Sequence, residues 1–269
     1  MSVDHYENFP VASWLVPSRL RGAIVAIYAF ARGADDIADE GDATPEARLA
    51  ALDRYDAMLD RIERGDVPAE PPFSALSRAI RAHALPLSPL RALLSAFRQD
   101  VVKMRYADFG EVEDYCVRSA NPVGRLLLHL YGIDDAVARA QSDAICTGLQ
   151  LANFWQDIEV DWNKGRVYLP QDDLRRFGID ETRIGSGHCD GRWAELLAFE
   201  VARSRALLES GRPLVRMLPF RLRLELNMVV AGGLRILRRI DAVRGDVFRH
   251  RPVLTGRDWV AMSIAAMRR

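Results

Sequence analysis

The sequence predicts an all-α protein, a single domain over residues 1–269 with roughly ten helices packed around a central cavity. Three observations predict it. Apolar residues recur at helical spacing through most of the chain, as in Leu90, Leu93, Leu94, Phe97 and Val101. Helix start and stop residues punctuate these runs, and no alternating strand pattern persists beyond a few residues. Two acidic i, i+4 pairs lie far apart, each on a helix that is apolar around most of its circumference. Such helices are buried, so their polar stripes face an internal space rather than bulk water.

Taken in order, residues 1–17 read as an extended entry arm. Ser18 is placed to cap a helix running through about Glu40 and ended by Gly41. On that helix Tyr28, Arg32, Asp35 and Asp39 share a face about 60° wide, with Asp36 at its shoulder. Thr44-Pro45-Glu46 opens a second helix to Arg64, proline standing at its first position. After a proline-containing loop over residues 66–72, a short helix ends near Ala84, and Ser88-Pro89 starts the next. Residues 108–110 break the pattern. The stretch from Glu111 to Tyr131 is helical around Asn121-Pro122, read either as one kinked helix or as two joined at the proline. Ser119, Ala120 and Gly124 keep that wall slim.

Asp134 or Asp135 caps the long helix that carries the second acidic pair. Gln150, Asn153, Asp157 and Asp161 fall in one arc roughly 80° wide. Residues 164–170 leave it as a loop with two cations, Lys164 and Arg166. A short helix over residues 171–177 and a loop over residues 179–190 follow. Two long helices, Trp193 to Ser210 and Phe220 to Arg244, come next; Gly232-Gly233 in the second marks close packing or a bend. Thr255 caps the last helix, which ends in Met267-Arg268-Arg269.

Facing each other across a cavity, the two pairs form a cage suited to Mg²⁺, which takes oxygen ligands and binds through a few carboxylates plus substrate phosphates. The competing reading of any one pair is a solvated helix face. Charge excludes other classes: 37 acidic and 37 basic residues balance, so no global field calls for nucleic acid. Cys116, Cys146 and Cys189 are widely spaced without a C-x-x-C, which speaks against a disulfide framework or zinc site. Neither a signal peptide nor an apolar run long enough to span a membrane is evident, so a cytoplasmic location is expected, with at most peripheral contact at the inner face of the membrane.

The combination resembles the squalene/phytoene synthase family, whose two D-x-x-x-D motifs sit on facing helices. Asp35 to Asp39 matches the first and Asp157 to Asp161 the second. Tyr28 and Arg32 match the tyrosine and arginine ahead of the first, Gln150 and Asn153 the Gln-x-x-Asn ahead of the second, and Arg166 and Tyr168 the following R-x-Y. The resemblance covers nearly the whole chain. It implies the isoprenoid-synthase fold and several Mg²⁺ ions bridged by a prenyl diphosphate and held by Asp35, Asp36, Asp39, Asn153, Asp157 and Asp161. It also implies diphosphate contacts from Arg32, Arg166 and Arg244, with residues 164–170 acting as a lid. HYENFPVAS, SANPVGRLLLHLYG and LQLANFWQD are most similar to the branch that makes hydroxysqualene in bacterial hopanoid biosynthesis.

For that chemistry, Mg²⁺ and arginines would take up the charge of departing diphosphate. Phe9, Phe30, Leu127 and Phe154 would wall off a carbocation, and Tyr28 would offer it a ring face or give its hydroxyl to phosphate. Two departures bear on the substrate. The family's usual His-Ser-Lys-Ser is here His5-Tyr6-Glu7-Asn8, and the arginine usually before the second motif is Gln156. Losing two cations fits a substrate with one diphosphate, such as presqualene diphosphate, which water capture would turn into hydroxysqualene. A presqualene diphosphate synthase and a hydroxysqualene reductase are then the implied functional partners. The alternatives are a head-to-head condensing enzyme and a non-catalytic prenyl-lipid binder.

Overall fold

The computed structural model describes residues 15–267, so the entry arm up to Trp14, including His5, Glu7 and Phe9, and the two terminal arginines lie outside the described residues. Thirteen α-helices are formed among the described residues: α1 Ser18–Asp39, α2 Pro45–Glu63, α3 Phe73–His83, α4 Ser88–Val102, α5 Phe109–Ser119, α6 Asn121–Leu130 and α7 Ala136–Gln156, then α8 Ile158–Asn163, α9 Gln171–Arg176, α10 Thr182–Ser186, α11 Gly191–Gly211, α12 Phe220–Ala242 and α13 Gly256–Met267. A 3₁₀ helix, Arg212–Met217, joins α11 to α12. No strand forms among them beyond an isolated bridge between Arg105 and Val167.

Local chemistry sets most boundaries where the sequence placed them. Thr44 caps α2, its hydroxyl accepting from the Ala47 amide at 3.3 Å, and Asp135 caps α7 by accepting from Ala138 at 2.7 Å. At α1 the cap is Pro17, and Ser18 makes no capping bond. The chain between Glu111 and Tyr131 resolves into two helices, α5 ending at Ser119 and α6 opening at Asn121 with Pro122 in its first turn, and Ala120 (φ −112°, ψ −48°) stands between them. Residues 179–190, expected as loop, contain the short helix α10.

Two hydrophobic clusters hold the bundle. One gathers α1 to α4, with Phe30 packed against Tyr55 at 5.5 Å and Phe73 at 6.3 Å between ring centroids. The other gathers α5, α7, α11 and α12 around the buried Trp155 and Trp193, whose indole N–H groups donate to Ser204 and to the Gly245 carbonyl. α6 belongs to both: Leu126 and Leu130 face the first cluster and Leu128 the second. Two glycines permit the close approaches. A Cβ on Gly124 would stand 2.4 Å from the Ser142 hydroxyl of α7, and one on Gly233 would stand 2.7 Å from Leu149. Gly232-Gly233 therefore marks close packing, and α12 runs through it unbroken.

Between α1, α6, α7 and α12 lies a cavity of about 420 Å³. Its lining is almost wholly apolar, from residues such as Ile24, Ile27, Leu127, Leu149, Leu218 and Leu226. Tyr28 of α1 lines it too, two turns before Asp35 and so roughly 10 Å below the acidic motif at 1.5 Å per residue.

Candidate active site

The first acidic motif occupies the last turns of α1. Arg32 reaches forward to Asp35 at 3.3 Å and to Asp36 at 2.8 Å. The second motif was expected on one continuous helix, but the structure breaks that helix at Asp157, whose backbone (φ −109°, ψ 18°) separates α7 from α8. Aspartate is among the weaker helix formers and yields at this point. The hydrogen-bond ladder survives, with the Asp157 amide on Asn153 and the Asp161 amide on Asp157, both at 2.9 Å. Asp161 thus stays on the side of its motif partner.

The two motifs meet through the loop after α8. Arg166 donates to Asp39 at 2.5 Å and to the Asp100 carbonyl at 3.0 Å, while Lys164 stands 3.4 Å from Asp39. Residues 166–170 are buried, so this loop is anchored rather than a free lid. The Val167 amide bonds to Met104, the Gln171 amide to Tyr106, and the Tyr168 ring stacks on Phe154 at 3.7 Å, nearly parallel at 7°. Phe154 therefore supports the loop beneath Asp161 and does not line the large chamber, and Phe30 is buried in the first core; of the expected wall residues within the described chain, Leu127 lines the chamber.

The charges of the two motifs act on each other. Burial, then repulsion from Asp39, pushes the Asp35 carboxyl up to about 6, against the pull of Arg32. Burial, then Asp157, pushes Asp161 up to about 8, and Asp39 on the other motif adds to the rise while Arg166 opposes it. Asp39 behaves oppositely: burial works against its charge, yet Arg166 and Lys164 hold it below its ordinary value.

Three participants carried little or no signal in the sequence. Asp100 is only 3 % exposed and accepts from the Tyr115 hydroxyl at 2.7 Å and the Tyr168 hydroxyl at 3.3 Å. Burial, opposed first by Arg166, pushes its carboxyl up to about 7. A charge on the core face of α4, three residues after Phe97 and seven after Leu93, was the available sign. Tyr115 was hidden among ordinary core aromatics. Arg251, from the loop after α12, donates to Asp157 at 2.7 Å, and nothing near it in sequence announces a partner 94 residues away.

Of the expected contacts, Gln150 is half-buried and Asn153 exposed on the α7 face that leads to Asp157. Arg244 is not brought to the motifs. It follows the end of α12 in a left-handed conformation (φ 52°) and lines a separate groove with Ala194 and Leu197 of α11. Gln156 does not face the cleft either: it is 2 % exposed and donates to the Pro252 carbonyl at 2.6 Å, fixing the loop that presents Arg251.

The donors suit a hard cation and an anion together. Each motif offers carboxylates that burial and mutual repulsion leave wanting positive charge. Among the described residues no three carboxylate, histidine or cysteine side chains converge tightly enough to hold an ion as they stand. Cations of the chain hold Asp39 and Asp157, so phosphate oxygens and water would complete an ion's shell. The Arg166 Nε is buried and without a hydrogen-bond partner, a donor suited to an anionic oxygen.

A helical bundle with two facing aspartate motifs above an apolar chamber has the isoprenoid-synthase fold. The chain belongs to the squalene/phytoene synthase family, whose model matches residues 3–258. It is 36 % identical to a hydroxysqualene synthase of Sinorhizobium fredii and 38 % identical to that of Rhodopseudomonas palustris, in each case over 97 % of this chain and 88 % of the relative. A 15-cis-phytoene synthase of Synechococcus elongatus is 30 % identical over the whole chain and 91 % of its own length. The crystal structure of squalene synthase HpnC from Alicyclobacillus acidocaldarius superposes with a TM-score of 0.83 at 40 % identity, covering 89 % of this chain and 90 % of that one. The family and these relatives identify a prenyl-transferase-like enzyme of isoprenoid biosynthesis.

Proposed function

We propose that the protein converts presqualene diphosphate and water to hydroxysqualene and diphosphate. The observation that carries this reading is the unpaired Nε of Arg166 between two acidic motifs, above a chamber walled by hydrocarbon side chains. The likeness to two hydroxysqualene synthases over almost the whole chain supports it. In the reaction the C–O bond breaks with its electron pair leaving on the diphosphate. The cyclopropylcarbinyl cation rearranges, water forms the new C–O bond, and a proton is released.

Arg166 and Lys164 would hold the departing oxygens by charge-assisted hydrogen bonds, positioned by Asp39 and by the Tyr168 stack on Phe154. Asp35, Asp36, Asp39, Asn153, Asp157 and Asp161 are the residues that would hold Mg²⁺, which when bound supplies Lewis-acid neutralisation of diphosphate, a contribution of several kcal/mol. Ile24, Leu127 and Leu149 keep the chamber dry around the hydrocarbon.

The test is purified protein with Mg²⁺, given presqualene diphosphate or farnesyl diphosphate separately, with products identified by mass. Hydroxysqualene from the first and no product from the second is expected. Presqualene diphosphate or squalene made from farnesyl diphosphate alone would favour the condensing reading, which the full-length similarity to a phytoene synthase keeps as the second choice.

A further inference from the structure

The segment that closes the chamber opposite the acidic motifs has two unlike sides. Residues 212–223, RPLVRMLPFRLR, contain four arginines and no acidic residue. Leu214, Leu218 and Leu222 turn inward at four-residue spacing and line the chamber. On the other side Phe220 is 68 % and Met217 43 % exposed, although both are large and apolar. Arg212, Arg216 and Arg221 are exposed beside them and Arg223 is half-buried, its guanidinium 5.6 Å from the Phe220 ring. None of the four pairs with a carboxylate among the described residues, whereas neighbours such as Arg203 and Arg205 do.

This side lies at the end of the chamber. Arg19 of α1 and Arg221 both act on the hydroxyl of Tyr131, a chamber-lining residue whose oxygen is buried without a partner. Glu225, the nearest acid in sequence, lines the chamber and acts on the same hydroxyl. Val123, exposed on α6, also lines the chamber and continues the apolar rim.

We propose that this corner, the 3₁₀ helix and the first turn of α12 with Arg19 of α1 beside them, is a docking surface for an anionic lipid bilayer. Phe220 and Met217 would enter the interfacial layer, and the guanidiniums would meet lipid phosphates at its surface. A second copy of the chain fits this face poorly, because a two-fold contact would set the same unpaired arginines against themselves. The seat lies over the leucines that wall the chamber, so a hydrocarbon could pass between lipid and protein without crossing water. Docking itself does not depend on which diphosphate the protein consumes, and its test fails separately from the substrate test.

The experiment is co-sedimentation of the full chain with vesicles of phosphatidylcholine alone, or of phosphatidylcholine mixed with phosphatidylglycerol. Wild type is expected to bind the mixed vesicles and to be released when salt rises from about 0.1 to about 0.5 M. Arg221→Glu with Arg223→Glu should weaken that binding at least about tenfold, since each basic residue at such a surface contributes about fivefold. Phe220→Ser should weaken it as well, with an unchanged melting temperature in both cases. Arg54→Glu with Arg78→Glu, the same change of net charge on exposed positions of α2 and α3, should bind as wild type does. The proposal is overturned by wild type that does not bind, by charge-reversed protein that binds equally, or by a wild-type dimer that the reversal dissolves.

Discussion

At the scale of single residues, the four motif aspartates are not equivalent. Asp35 and Asp161 carry burial and repulsion, so Asp35→Asn and Asp161→Asn should leave the metal-free protein as stable as wild type or more so. Asp39 and Asp157 hold Arg166 and Arg251, and Asp39→Asn strands a guanidinium whose side chain is 9 % exposed. That variant should lose about 3 kcal/mol, read from denaturant midpoints. All four should lose activity by roughly 100-fold or more, the equivalent of about 3 kcal/mol of transition-state stabilisation. Asp100→Ala should lower stability by about 1–3 kcal/mol, because it removes the partner of two buried tyrosine hydroxyls. Asp100→Asn should recover most of it. The two acidic motifs were legible because helical spacing aligns the residues of each, and Arg166 was legible only through the R-x-Y segment that the family resemblance picks out. Asp100 and Arg251 were not, since their roles exist only through contacts between distant segments. The charge change at Gln156 was legible, but its burial under Pro252 was not. Gln156→Arg would therefore bury a cation instead of adding one to the cleft.

At the scale of elements, caps and prolines located most helices, and misplacements cluster where tertiary contacts override them. The break at Asp157 coincides with a carboxylate taken by Arg251, a partner no local rule supplies. Residues 179–190 looked like loop because of their glycines, yet Ile184 is buried and Gly185 leaves room for the Trp162 ring, which permits the short α10. The same kind of contact governs the α6–α7 pair. Gly124→Val should force Ser142 and Cys146 from their places and cost about 1–3 kcal/mol by overpacking. Thermal melts would show it, and an unshifted melt would mean that the two helices separate freely.

For the whole molecule, the raised carboxyls set a pH dependence. Asp35 at about 6, Asp100 at about 7, Asp161 at about 8, and Glu200 at about 8, a carboxylate buried in α11 that accepts from Arg203 at 3.0 Å, all stand above ordinary values near 4. Between those limits the folded chain holds protons that the unfolded chain has shed. Their contribution to stability is thus complete below about pH 4 and is lost as pH rises through 6 to 8. Metal-free protein should melt higher at pH 6 than at pH 8.5, and Mg²⁺ with diphosphate should reduce that slope by occupying Asp35 and Asp161. A melting temperature that rises over this interval in chelator would contradict it. No described helix is long and apolar enough to cross a membrane. The overall architecture was the most legible feature, since periodicity alone requires many helices and the buried acids require a space between them. α6, shared by the two cores, also limits how this molecule can vary. Because the chamber walls are core residues of both halves, its capacity is a property of the frame rather than of a loop that can be lengthened. A descendant that accepts a longer or shorter hydrocarbon would arrive there by exchanging single wall side chains, such as Leu127 or Leu149, while every helix kept its place.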